Sequence, residues 1–178
     1  MKKGDKKILF IVIRYVILLI LTLFALPWVY NIFTPLTLYP VVGLLGLVYG
    51  DVVVSQITIS INGTSLIELA PACIAGSAYL LLLILNLSVP MKLKQRIYSI
   101  LASFGVLLIL NILRIFILSM LYHSGNAFFD ITHKLFWYGL STLFVVGIWF
   151  LIVKIFIIKD IPVYTEIKYF LKTIKKGK

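Results

Sequence analysis

The stretch IYSILASFGVLLILNILRIFILSMLY, Ile97 to Tyr122, decides the fold. It is longer than the roughly 20 apolar residues needed to cross about 30 Å of hydrocarbon at 1.5 Å per residue. One formal charge, Arg114, lies inside it, about eight residues or 12 Å from its carboxyl end. A guanidinium at that depth is costly and by default marks function, the simpler alternative being an arginine that snorkels to the interface. Asn111 precedes Arg114 by three residues, so the two share a helical face and point toward one partner or cavity.

Three more stretches are comparably apolar: Ile8 to Tyr30, Pro71 to Val89 and His133 to Ile158. Of the 178 residues 62% are hydrophobic and the mean hydropathy is +1.10, which excludes an ordinary soluble core. The run after Lys7 continues to about Leu26 without a small-residue cleavage pattern, so it reads as a retained first helix. Thr34 to Gly50 is shorter and broken by Pro35, Pro40, Gly43 and Gly46, and could be a fifth span or a re-entrant piece.

Charge placement bears on that choice. The net charge is +11, yet the basic residues gather at the ends of apolar runs and not in a stripe interleaved with aromatics. This argues against nucleic acid and for contact with anionic lipid headgroups. Apart from Arg114 and Lys134, the Lys and Arg residues, 15 of the 17, can lie on one side, which the positive-inside rule makes cytoplasmic. An odd number of crossings must then precede Pro71, so Thr34 to Gly50 is expected to be re-entrant or interfacial. The expected fold is an all-α polytopic membrane protein of about four to five transmembrane helices. One domain covers residues 1–158, and residues 159–178 form a basic cytoplasmic tail on the inner headgroups, with both termini cytoplasmic.

Asp51 to Glu68 changes period. Val52, Val53, Val54, Ile57, Ile59 and Ile61 are β-branched, Gln56, Thr58 and Ser60 alternate with them, and Asn62-Gly63 is a two-residue turn signal. A small β-hairpin over residues 52–69 is expected at the outer mouth of the bundle.

Two further residues carry possible chemistry. Cys73, the single cysteine, cannot form an internal disulfide. It follows Pro71, suited to a first helical turn, where unpaired amides favour a thiolate; the surrounding Ala70, Ala72, Ala75, Gly76, Ser77 and Ala78 allow close approach. The plainer alternative is a filler cysteine in a small-residue packing face. His133 opens the last span, with Asp130 or Thr132 as its cap, and at a helix amino terminus its imidazole can accept a proton. His123, in the same loop, competes for that role.

With the amino terminus inside, Cys73, Arg114 and His133 all fall in the outer third of the bilayer. A thiol, a base and a cation able to stabilise an oxyanion are the parts that acyl transfer needs. The sequence has no multi-His/Cys cluster and no carboxylate pair, so neither metal nor other cofactor is expected.

The run Ala72-Cys73-Ile74-Ala75-Gly76-Ser77, then Asn111-Ile112-Leu113-Arg114-Ile115, then a histidine at the start of the last helix, resembles the exosortase/archaeosortase family over roughly Ile57 to Phe150. The chain is similar to a near-minimal core of that family, many of whose members look larger. The resemblance implies a multipass membrane cysteine transpeptidase. It would act on the carboxy-terminal sorting signals of secreted proteins: a short motif, a hydrophobic helix and a basic cluster. Cys73 would be the nucleophile, Arg114 the oxyanion stabiliser and His133 the acid/base, with Asn111 in support. Two other classes are open, a transporter component with Arg114 as an anion site and a non-enzymatic assembly subunit.

Overall fold

The computed structural model describes residues 3–89 and 91–157. The basic tail expected over residues 159–178 lies outside them.

The first element, α1 (Lys3–Tyr49), is one continuous helix of 47 residues, about 70 Å long. The expectation of a re-entrant or interfacial piece at Thr34 to Gly50 is therefore corrected. Pro27, Pro35 and Pro40 lie inside the helix. Each removes one amide from the ladder, a loss tolerated in an apolar bundle where neighbouring groups re-satisfy the carbonyls. Phe24–Tyr49 forms one helix long and apolar enough to cross a membrane, and α4 (Leu93–His123) forms a second.

After α1 comes a three-stranded antiparallel sheet, β1 (Val52–Ser55), β2 (Thr58–Ile61) and β3 (Ser65–Glu68), in the order β1-β2-β3. The single hairpin expected over 52–69 is thus two. The β-branched run does not continue through Gln56, which takes φ of 55° and turns the chain so that Ser55 faces Thr58. Alternation of side chains is blind to such a turn, because two residues of turn leave the period-two pattern in phase. The second turn falls where Asn62-Gly63 signals it, with both residues at positive φ and Thr64 N–H donating to Ile61 C=O at 3.1 Å. Ile59 and Ile61 bury their side chains completely against Leu38, Val41 and Leu45 of α1 and Ile115 of α4.

The expected helix from Pro71 to Val89 is divided. A single turn, α2 (Pro71–Ile74), ends at Ala75 in the left-handed region (φ 61°, ψ 35°), and α3 (Gly76–Ser88) starts anew. Gly76 lies under the ring of Tyr30, whose Cζ is 2.6 Å from where a Cβ would sit, so only glycine lets α1 approach this break. From α3 the chain passes to α4, then to α5 (Phe129–Leu135), a π turn (Phe136–Leu140) and α6 (Ser141–Ile155), which follow one another without a break.

Two cores stack along the bundle. Near the sheet, β2 and Leu69 pack on α1 and α4; farther along, Phe33, Tyr79 and Trp149 join α1, α3 and α6. A buried polar cluster pins α3 to α4: Asn86 Nδ2 donates to Leu82 C=O (2.8 Å) and Ser103 Oγ (3.3 Å), and Ser99 Oγ donates to Asn86 Oδ1. All three side chains are fully buried, so their pairing is what makes their burial tolerable.

Candidate active site

The carboxyl ends of α1 and α4, the sheet, α2 and the start of α5 gather at one end of the bundle. A cavity of about 260 Å³ opens there, lined on one side by Leu66 to Leu69 of the β3 region and on the other by Ile115, Leu118, Ser119 and Tyr122 of α4, with Phe129 at its edge. Cys73, Arg114 and His133 line it together.

Cys73 is half-buried. Its N–H donates to Ala70 C=O at 2.8 Å, and its own carbonyl accepts from Asn111 Nδ2, also at 2.8 Å. Asn111 therefore holds the backbone of the thiol-bearing turn against α4. The expectation that Cys73 begins a long helix is corrected: α2 is four residues, too short to build a macrodipole, and the αL residue Ala75 separates it from α3. What stands beside the thiol instead is the Arg114 guanidinium.

Arg114 is 8% exposed, one turn along the same buried face as Asn111. Its Nη1 donates to Ser141 Oγ at 3.0 Å, and Ser141 in turn donates to Phe136 C=O at 2.6 Å. That carbonyl is available because the π turn shifts the local ladder; Ser141 N–H reaches it too, five residues on. Ser141 thus fixes the fork of the guanidinium from behind, while Nε, also buried, has no hydrogen-bond partner. A buried cation with a donor left over costs about 1–3 kcal/mol until an acceptor arrives. Simple snorkelling does not describe this arginine, since its head is buried among protein groups.

His133 is half-buried and stacked on Phe129, with ring centroids 5.5 Å apart and planes within 4°. It does not open its helix. The helix starts at Phe129 with Phe128 as cap, so the expected caps Asp130 and Thr132 are interior residues and His133 does not stand at a helix amino terminus. The signal that misled was the polar run before the apolar one; the true entry is set by Asn126, whose Oδ1 accepts from Phe128 N–H at 2.9 Å. His123, the competing base, is engaged elsewhere: its Nδ1 pairs with Ser65 Oγ at 2.9 Å and its ring packs edge-on to Tyr49. It is absent from the cavity wall that His133 shares with Cys73.

Several residues in or behind the cavity wall were not anticipated from sequence. Ser141 was legible in principle, as one of two adjacent hydroxyls, Ser141 and Thr142, about two turns beyond His133 in a mostly apolar helix. Glu68, an exposed carboxylate on the cavity wall, and the whole β3 wall were not, because they reach the site through sheet packing and not through any local pattern.

Chemically, the site combines a thiol, a nearby buried guanidinium with unspent donor capacity, and an imidazole in an apolar, partly enclosed cavity. Compared with protein-family models, curated proteins and solved structures, the chain matches none.

Proposed function

We propose that this protein is a membrane-embedded cysteine transpeptidase or peptidase that cleaves carboxy-terminal sorting signals. The observation that carries this reading is the single cavity lined by Cys73, Arg114 and His133. In the proposed step His133 takes the thiol proton and the sulfur of Cys73 bonds to the scissile carbonyl carbon. Arg114 donates to the oxygen as it becomes negative. The carbon–nitrogen bond then breaks, the leaving amine takes the proton from His133, and the thioester passes to an amine or to water. A buried donor aimed at developing charge is worth most in such a low-dielectric site.

The bundle is read as four spans with both termini cytoplasmic and the cavity on the outer side, because the basic residues cluster at the opposite ends of the helices. A substrate helix with a basic end obeys the same rule, and its recognition motif then arrives at the depth of the cavity.

The test is co-expression with a secreted protein that ends in a hydrophobic helix and a basic cluster, followed by gel shift and mass spectrometry. Processing is expected with wild type and lost with Cys73→Ala, Arg114→Ala and His133→Ala at matched membrane levels. Normal processing by Cys73→Ala would sink the mechanism and favour an assembly role.

A further inference from the structure

β3 is an edge strand with one neighbour, β2. Leu69 N–H donates to Ile57 C=O at 3.0 Å, Ile67 faces Ile59 and Ser65 faces Ile61. An antiparallel ladder directs both main-chain groups of every second residue to the same neighbour. The residues bonded to β2 are therefore Ser65, Ile67 and Leu69, and the N–H and C=O of Leu66 and Glu68 point to the open edge. Among the described residues no group pairs with those four. Leu66 and Glu68 are both exposed, both line the cavity, and Cys73 follows Glu68 by five residues. Open edges are usually blunted by proline, lysine or a covering element, and Ser65-Leu66-Ile67-Glu68 carries neither residue.

We infer that this edge is the docking strand for an extended peptide segment. The segment adds to β3 as a fourth strand, and the pairing brings its scissile carbonyl to Cys73. The inference rests on the acyl-transfer reading of the cavity and names how that site holds its substrate. The occupant follows from the chemistry of the edge. Two N–H and two C=O groups at a two-residue repeat, about 6.6–6.8 Å, complement the backbone of another strand. A helix has already used its main-chain groups internally, and a lipid chain has none to offer. Leu66, Leu69, Ile115 and Leu118 supply apolar wall for alternate side chains.

The lone cysteine makes the test direct. The purified full chain is treated with acetyl-Val-Ala-Leu chloromethyl ketone, whose chloride is displaced by the thiolate to leave a thioether. Alkylation of Cys73 is timed by mass spectrometry, with iodoacetamide as the control that needs no strand pairing. Two analogues carry one N-methyl group each, on the Ala or on the Leu amide. Because alternate amides face β3, one methylation is expected to slow alkylation about 10-fold, the size of one main-chain hydrogen bond, and the neighbouring one to change it less than about 3-fold. Glu68→Pro, which deletes an edge-facing N–H and no ladder bond, is expected to slow the peptide probe similarly and leave the iodoacetamide rate unchanged. Equal rates for parent and both analogues, or equal slowing by both, would overturn strand addition while leaving acyl transfer standing. A Cys73 inert to every reagent would overturn the acyl-transfer reading itself, and this inference with it.

Discussion

At the scale of single residues, the guanidinium geometry is the most demanding feature. Arg114 uses Nη1 on Ser141 while its buried Nε has no hydrogen-bond partner, a division that a planar fork allows and a lysine ammonium does not. Arg114→Lys is therefore expected to lower processing of a co-expressed substrate at least about 10-fold despite the retained charge, a loss on the scale of one charge-assisted hydrogen bond. Ser141→Ala removes the rear anchor only and is expected to give a smaller, several-fold loss in the same assay. Ala75 offers a stability test two residues from the thiol. Its left-handed conformation costs a non-glycine residue about 1 kcal/mol, so Ala75→Gly is expected to raise the thermal midpoint. A lowered midpoint would mean that the Ala75 methyl contributes packing that outweighs the strain.

Between elements, the contact of α1 with the α2–α3 break depends on Gly76. A methyl there would sit 2.6 Å from the Tyr30 ring, so either the ring swings out or the helices part. Gly76→Ala is expected to destabilise by about 1–3 kcal/mol in detergent unfolding, with Tyr30→Leu in the same chain restoring much of the loss. The same unfolding measurement applied to Asn86→Ala, which strands the Ser99 hydroxyl in the bundle, is expected to cost about 1–2 kcal/mol. That site lies in the α3–α4 contact away from the cavity wall, so the iodoacetamide rate of Cys73 is expected to stay as in wild type.

At the scale of the whole molecule, sidedness is the property to measure. With Cys73 as the single thiol, a membrane-impermeant maleimide applied to intact cells is expected to label the protein, and labelling only in inverted vesicles would reverse the proposed orientation. The number of crossings is tied to the same experiment, because α1 is continuous through Pro35 and Pro40 and the cavity lies at its carboxyl end. In the proposed orientation a chain entering from the cytoplasm would cross once in α1 and deliver β1, β2 and β3 directly to the other face.

Much of this was determined by sequence alone. The apolar runs fix helical, membrane-compatible segments, because lipid leaves the backbone no other way to satisfy its polar groups. The three-residue spacing of Asn111 and Arg114 fixes a shared face, and Asn62-Gly63 fixes a turn, since few residues other than Asn and Gly accept positive φ. Tertiary structure decided what depends on contacts between distant segments. The proline- and glycine-marked Thr34 to Gly50 continues as helix where Leu38, Val41 and Leu45 pack against β2 and α4, tertiary contacts that override local propensity. The pairing of β3 with β2 turns a strand end into a cavity wall. That His133 and not His123 shares a cavity with Cys73 is likewise a tertiary outcome: His123 hydrogen-bonds through Nδ1 to Ser65, 58 residues away in sequence, and does not line that cavity.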